Sequence, residues 1–266
     1  MARNESGLFS ALLRHWRTKR GLSQLDLSLA AEVSSRHISF LETGRAQPSR
    51  EMVLILGGSL DLTLRDQNVL LRSAGFADQF AEPSWTDGLD PAIERTLTWM
   101  LNKHEPFPMV VLGHAYDIVR VNQGGMRMMA WLLADPTALK APPNLLRSLF
   151  DPRLARPFVL DWERVAKSVL SRIHREALAR PSDPALAQLI RELLAFPDVP
   201  ASFRVPDLTD TSAPTLSVRV RKGDVELAFL TTVTQFDAPQ NITLQELKIE
   251  SYFPLDDATE RALATL

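Results

Sequence analysis

The chain has 266 residues, 45% of them hydrophobic and 23% charged. That balance suits two ordinary globular domains and excludes a disordered or fibrous chain. Cysteine is absent, which excludes a disulfide framework and thiolate metal sites and fits a reducing compartment.

The net charge of −2 is unevenly spread. Residues 1–76 carry ten Lys/Arg against seven Asp/Glu, and residues 77–266 carry twenty against twenty-five. A mildly basic head on an acidic body suits a nucleic-acid module with a separate regulatory part. No stretch approaches the roughly 18–20 apolar residues of a membrane span. The start, MARNESGLFSALLRHW, lacks the continuous apolar core and cleavage site of a secretory signal. A cytoplasmic protein with no membrane partner is expected.

In chain order, Leu8, Leu12, Leu13 and Trp16 recur at helical spacing, so residues 7–20 form an amphipathic helix that Gly21 ends. Ser23 with Asp26 makes an acidic capping box for a second helix from Gln24 to about Ala31, with Leu25, Leu27 and Ala30 available for packing. Glu32 and Val33 form a short turn. Ser34 caps a third helix, SSRHISFLET, that points Val33, Ile38 and Leu41 inward and Ser35, Arg36, Ser39 and Phe40 outward. Gly44 closes it in the left-handed conformation. Ser49 opens a fourth helix whose end Gly57 and Gly58 weaken. Thr63 with Asp66 caps a fifth, which stops at Gly75.

Five short helices with a tight turn between the second and third make a helix-turn-helix layout. Leu22, Gln24, Leu27, Val33 to Arg36, Ile38, Leu41, Glu42, Gly44, Arg45, Pro48 and Ser49 carry it. This resembles the XRE, or Cro/repressor-type, helix-turn-helix family over about residues 8–75. Ser28 departs from the alanine usual there. The resemblance implies that Gln24 contacts a phosphate and braces the third helix, and that Ser34 and Ser35 lie near backbone and base edges. Arg36, whose fork fits guanine O6 and N7, is the candidate for base reading. Ser39 belongs to the same outward face. Phe40 meets a thymine methyl or a partner subunit. Arg45, with Arg50 as a further candidate, holds phosphates. Arg17 and Glu42 occupy the positions of a structural ion pair.

Residues 77–90 mix Pro, Gly, Asp and aromatics and are expected to be a linker or docking segment. Pro91 starts a helix that Pro106 and Pro108 end, with Ile93, Leu97, Met100 and Leu101 on its apolar face. MVVLG, the turn HAYD and IVRV follow as strand, turn and strand, and Asn122 caps the helix QGGMRMMAWLL. That succession reads as the opening of a PAS-like sensor fold, with Asn122 both capping and pointing into a pocket. Helices are expected over 142–154, 161–177 and 183–195. TLSVRV and VELAFLTTVTQF form a hairpin, its first strand alternating Leu216, Val218 and Val220. LQELKIESYFP is a further strand, and a short helix closes the chain.

The blocks YDIVRVN, NLLRSLFDPR and DWE, followed by a β-rich end, resemble the MmyB-like transcription regulators, with Tyr116 where Trp is more usual. The expected class is therefore α+β: a helix-turn-helix domain over 1–76, a linker over 77–90 and a PAS-like ligand-binding domain over 91–266. The resemblance implies a pocket for a fatty-acid-like effector and no cofactor. Met126, Met129 and Phe150 are candidates for its walls among several aromatics and methionines, Trp99 included. Asn122, Arg147 and Arg153 are candidates for a carboxylate head.

The five histidines show no metal-ligand spacing, and no nucleophile elbow, Walker loop or dinucleotide fingerprint occurs. Gly124 and Gly125 at a helix start are weak evidence for phosphate. The expectation is a non-enzymatic, metal-free one-component regulator that binds operator DNA as a homodimer on an inverted repeat. The alternatives are a constitutive DNA-binding protein whose C-terminal domain only dimerises, or a protein-interaction module.

Overall fold

Four helices of the N-terminal unit start where a short polar side chain takes an orphan backbone N–H. A computed structural model describes residues 5–85, 89–180, 183–205 and 217–266. Within it, α1 is Glu5–Lys19, α2 Gln24–Ala30, α3 Ser35–Glu42, α4 Arg50–Ser59 and α5 Leu64–Ser73. Ser23, Ser34, Ser49 and Thr63 each accept from the backbone of the third residue on, and Ser23 with Asp26 forms the full capping box. Gly44 has φ +70°, the left-handed geometry that ends α3. The turn before α3 also needs a positive φ, which Glu32 adopts at 54°.

Four details differ from the sequence reading. Helix α4 runs through Gly57 and Gly58. Gly57 lies so close to Gln67 that a Cβ there would sit 2.9 Å from Gln67 Cγ. Of the three apolar residues offered by α2 only Leu27 is buried, and Leu25 is 58% exposed. Residues 77–82, expected as part of a linker or docking segment, belong to this first unit. Buried Asn68 holds them, donating to Phe80 O and accepting from the N–H groups of Gln79 and Phe80. Finally, Pro239–Gln245, far along the chain, also belongs to this unit. Gln245 Oε1 accepts from Leu64 N at 2.8 Å, at the start of α5, and Ile242 N donates to Ala81 O. The core gathers Phe9, Leu13, Trp16, Leu27, Ile38, Leu41, Leu56 and Leu70.

The second unit is Pro83–Ala238 with Glu246–Leu266. Its strands are β1 Met109–Leu112, β2 Ile118–Val121, β3 Val159–Leu160, β4 Ser217–Lys222, β5 Val225–Thr234 and β6 Lys248–Pro254. They form one antiparallel sheet in the order β2-β1-β6-β5-β4-β3. Its helices are α6 Pro91–Lys103, α7 Gln123–Leu132, α8 Leu145–Phe150, α9 Trp162–Ala179, α10 Pro184–Leu194 and α12 Asp257–Thr265. The short α11, Ile242–Glu246, spans the chain point at which the two units meet in sequence. The class is α+β, as expected.

Here too the boundaries shift. The helix expected over 142–154 shrinks to α8, because Asn144 caps it and Asp151 leaves the helical region. The strand expected from Leu244 starts only at Lys248, its first residues being the helical turn α11. The short β3 was not foreseen. Leu216 of the expected alternation and residues 86–88 of the expected linker lie outside the described residues. Trp99 is 63% exposed and takes no part in the core. No described helix is long and apolar enough to cross a membrane.

Candidate functional site

The third helix is braced from three sides before anything can touch its outer face. Ile38 and Leu41 are fully buried. Ser10 Oγ donates to Leu41 O at 2.6 Å from α1. Arg17, also on α1, meets Glu42 through a two-pronged pair, Nη2 reaching Oε2 at 3.0 Å, and donates to Leu22 O as well. Both side chains are nearly enclosed, at 11% and 3% exposure. Burial pushes the Glu42 carboxyl up, but its bonds from Arg17 and Gln24 hold it below the usual range. Gln24 Nε2 donates to Glu42 Oε2 at 2.8 Å. Ser28, the departure from alanine, turns its hydroxyl to Leu25 O at 2.8 Å, so the tight α2–α3 approach survives.

That bracing leaves Ser34, Ser35, Arg36 and Arg45 exposed, with Ser39 and Phe40 half-buried beside them. The seven residues named from sequence thus sit around α3. Ser34 is occupied as the cap, and the Arg36 guanidinium lies 5.2 Å from the Phe40 ring centroid. Arg50, the further phosphate candidate, donates to Ala77 O at 2.9 Å and to Gln79.

In the second unit, one small apolar cavity of about 100 Å³ lies between α7, α8, α9 and the sheet. Met128, Met129, Leu146, Val169, Val220 and Phe229 are among its walls. Its polar end is Arg172, from α9, and Glu250, from β6. Their closest approach is 4.0 Å, and Arg172 Nε and Glu250 Oε2 are both buried without a hydrogen-bond partner. Tyr252 donates to the other Glu250 oxygen at 2.8 Å. Burial works against the Arg172 charge, yet the oxygens of Tyr116, Glu250 and Glu176 raise its pKa further. Nearby Glu176 is likewise pushed up by burial but held down on balance by Lys248, and it accepts from Tyr116 Oη at 2.7 Å. The hydroxyl that Tyr116 has and Trp lacks is thus bonded.

Of the six ligand-binding candidates read from sequence, the structure brings only Met129 to this cavity among the described residues. Met126 is 53% exposed, and Phe150 is fully buried edge-on to Trp162. Asn122 is spent inside the fold. Its Oδ1 accepts from Met109 N and Gly125 N, and its Nδ2 donates to Phe107 O at 2.8 Å. Arg147 and Arg153 line a different, open cleft and are already paired, Arg147 with Glu192 at 2.9 Å and Arg153 with Asp151 at 2.7 Å. The N–H groups of Gln123 and Gly124 go to the Glu105 carboxylate, the anion that this helix start actually receives. Sequence reasoning missed Arg172 because nothing in VAKSVLSRIHREA separates it from the surface arginines of the same helix.

The fold also gathers three side chains with no motif in common. His114 lies within hydrogen-bond reach of Asp183 at 3.1 Å and of Glu246 at 2.9 Å. They come from the HAYD turn, the start of α10 and the end of α11.

Residues 93–266 match the family model described as the MmyB-like transcription regulator ligand binding domain, and residues 13–67 match a helix-turn-helix model. The chain belongs to the MmyB-like transcription regulators. In this MmyB-like regulator the helix-turn-helix head has a curated relative, the HTH-type transcriptional regulator DdrOP3 of Deinococcus deserti. The two are 34% identical over 95 residues, 32% of this chain and 74% of the relative. Among solved structures, the clp gene regulator ClgR of Corynebacterium glutamicum is 28% identical. That match covers 27% of this chain and 88% of ClgR, at a TM-score of 0.24. An RNA-binding light-oxygen-voltage receptor aligns over 98% of this chain and 64% of its own at 13% identity, also with a TM-score of 0.24. The MmyB-like regulator is thus a helix-turn-helix transcription regulator with a ligand-binding domain.

Proposed function

We propose that this regulator reads operator DNA with α3 and is controlled by an apolar, fatty-acid-like ligand in the α9 cavity. The observation that carries the ligand reading is Arg172: an unpaired buried guanidinium nitrogen at the end of an otherwise apolar cavity. A buried donor without a partner costs about 1–3 kcal/mol, and a ligand head that accepts from it recovers that cost. The antiparallel sheet, with the helices between its second and fourth strands closing over the cavity, supports reading this unit as PAS-like.

The cavity is far smaller than the roughly 300–1,000 Å³ of a typical ligand pocket. An acyl chain therefore enters only by moving wall side chains, and Met128 and Met129 are the most adaptable of these. Each methylene buried contributes about 0.8 kcal/mol, which offsets that rearrangement once the chain is long enough. The requirement to open is also what makes the cavity a switch, since a ligand shifts an equilibrium only through different affinities for its two states.

Native mass spectrometry of the full-length protein tests this reading. A co-purified acyl ligand is expected, and Arg172→Gln should weaken binding of a long-chain acid more than that of the matching alcohol. A protein that carries nothing and rejects both compounds would leave the constitutive alternative, with the body serving only to dimerise.

For the head, exposed Arg36 on a rigidly braced helix supports direct base reading. The proposal is a homodimer on an inverted repeat with half-sites ~34 Å apart. Arg36→Ala should cost about 1–3 kcal/mol of discrimination at one base pair per half-site, measured by competition binding. An equal loss on all sequences would make Arg36 a phosphate contact instead.

A further inference from the structure

His114, Asp183 and Glu246 each offer a metal-ligating atom, and these atoms all lie within 4.8 Å of one another. Asp183 is 2% exposed and Glu246 5%, while His114 keeps 31% of its surface. Two features set the trio apart from an ordinary ion pair. First, Asp183 is only half used. Its Oδ1 takes His114 and caps α10 through Ala185 N, but its Oδ2 is buried with no hydrogen-bond partner. Second, within the trio two buried carboxylates face one imidazole. Even with that ring protonated, the three side chains sum to one negative charge, and with a divalent ion and a neutral ring they sum to zero.

We propose that this trio is a binding site for a divalent transition-metal ion of the Zn²⁺ or Mn²⁺ class. Buried charge is tolerated when it is paired or coordinates a metal. An imidazole nitrogen with two carboxylate oxygens suits these ions, and the imidazole disfavours Ca²⁺ and Mg²⁺, which prefer all-oxygen sets. Ligands about 2.1 Å from a tetrahedral ion lie about 3.4 Å apart. Asp183 now meets Nε2 of the ring and Glu246 meets Nδ1, so an ion held at one nitrogen requires the opposite acid to swing across; His114 sits on a turn and Asp183 at a helix start, where the side chains have room to turn. Three protein ligands leave room for water, and the partial exposure of His114 supplies an entry path.

The ion and a proton compete for the same ring. Flanked by two carboxylates that outweigh its partial burial, His114 has its pKa raised to about 9.

The test uses untagged full-length protein, stripped with chelator and titrated with Zn²⁺ and, separately, Mn²⁺. The expected result is one ion per chain in calorimetry. At a hundredfold excess over Kd, the melting temperature of the second unit should rise by about 5–10 °C. Asp183→Asn retains an N-cap residue of comparable quality, so it should fold normally and lose at least tenfold in metal affinity. Glu246→Gln should do the same. No stoichiometric ion, or unchanged affinity in folded Asp183→Asn, would overturn the assignment and leave the trio as an imidazolium bridge between two acids.

Discussion

At the scale of single residues, the most consequential side chains are buried charges with few alternatives. Removing Arg17 leaves Glu42, 3% exposed, with Gln24 as its remaining side-chain donor. Breaking a buried pair from one side is strongly destabilising, so Arg17→Ala should cost about 3–5 kcal/mol in urea unfolding of the head. The double variant Arg17→Met with Glu42→Leu should recover much of that loss.

His114 gives a prediction in pH. Its folded pKa of about 9 lies above the ordinary 6.5. The stabilisation is therefore complete below pH 6.5 and fades as pH rises towards 9. Discounted for the ring's partial exposure, the loss is roughly 2–3 kcal/mol over that window. Chemical denaturation in chelator at pH 6.5 and pH 9 measures it, and His114→Ala should flatten the difference. Neither the trio nor Arg172 was legible in the sequence. Each depends on side chains that only the tertiary fold brings together, and each looks locally like an ordinary turn histidine, a helix cap or a surface arginine. The Arg17–Glu42 pair was foreseen only through the family resemblance, since no local spacing joins α1 to α3.

At the scale of elements, capping chemistry was legible and element ends were not always. Ser23, Ser34, Thr63 and Asn122 all cap where the sequence places them, because an N-cap is a local competition between one side chain and the next turn. The strand expected from Leu244 failed for a related reason. Asn241 Oδ1 accepts from Leu244 N, and Gln245 N donates to Asn241 O, so the chain closes a helical turn before β6 can begin. Asn122 shows the reverse error: its local role was right and its aim was wrong, since saturating three backbone partners leaves nothing to point into a cavity.

The glycines after Asn122 belong to this scale too. A Cβ on Gly124 would lie 2.1 Å from Pro106 O, and one on Gly125 2.4 Å from Val121 Cγ2. They serve close packing of α7 against the chain before β1 and against β2. Gly124→Ala meets backbone, which cannot swing aside, so it should destabilise the second unit by about 1–3 kcal/mol or more, read by thermal unfolding. Gly58→Ala, where a Cβ meets nothing within 4 Å and α4 is regular, should be neutral or stabilising.

At the scale of the whole molecule, the helix-turn-helix pattern and the later strand blocks led to the expected α+β class, a helical head followed by a sheet-containing body. The division in space is nevertheless not the division in sequence. The first unit recruits residues 77–82, part of the stretch expected as a linker or docking segment, and Pro239–Gln245, which lies between β5 and β6. No periodicity marks such an excursion, since its evidence is two long-range hydrogen bonds. A fragment of residues 1–82 should therefore fold yet show weakened protection at Leu64 N, measured by hydrogen exchange against the full chain. Equal protection in both would mean that the excursion adds nothing to the head.

The excursion also sets an order of events on the ribosome. The first 82 residues emerge while their last seven partners are still about 157 residues away, roughly 8–30 s at the usual pace of synthesis. During that interval the recognition helix is already capped and braced by α1 and α2, but α5 lacks its Gln245 acceptor. The head is thus assembled early and finished late, and a chain truncated anywhere before residue 239 would carry a reading helix on an incomplete support.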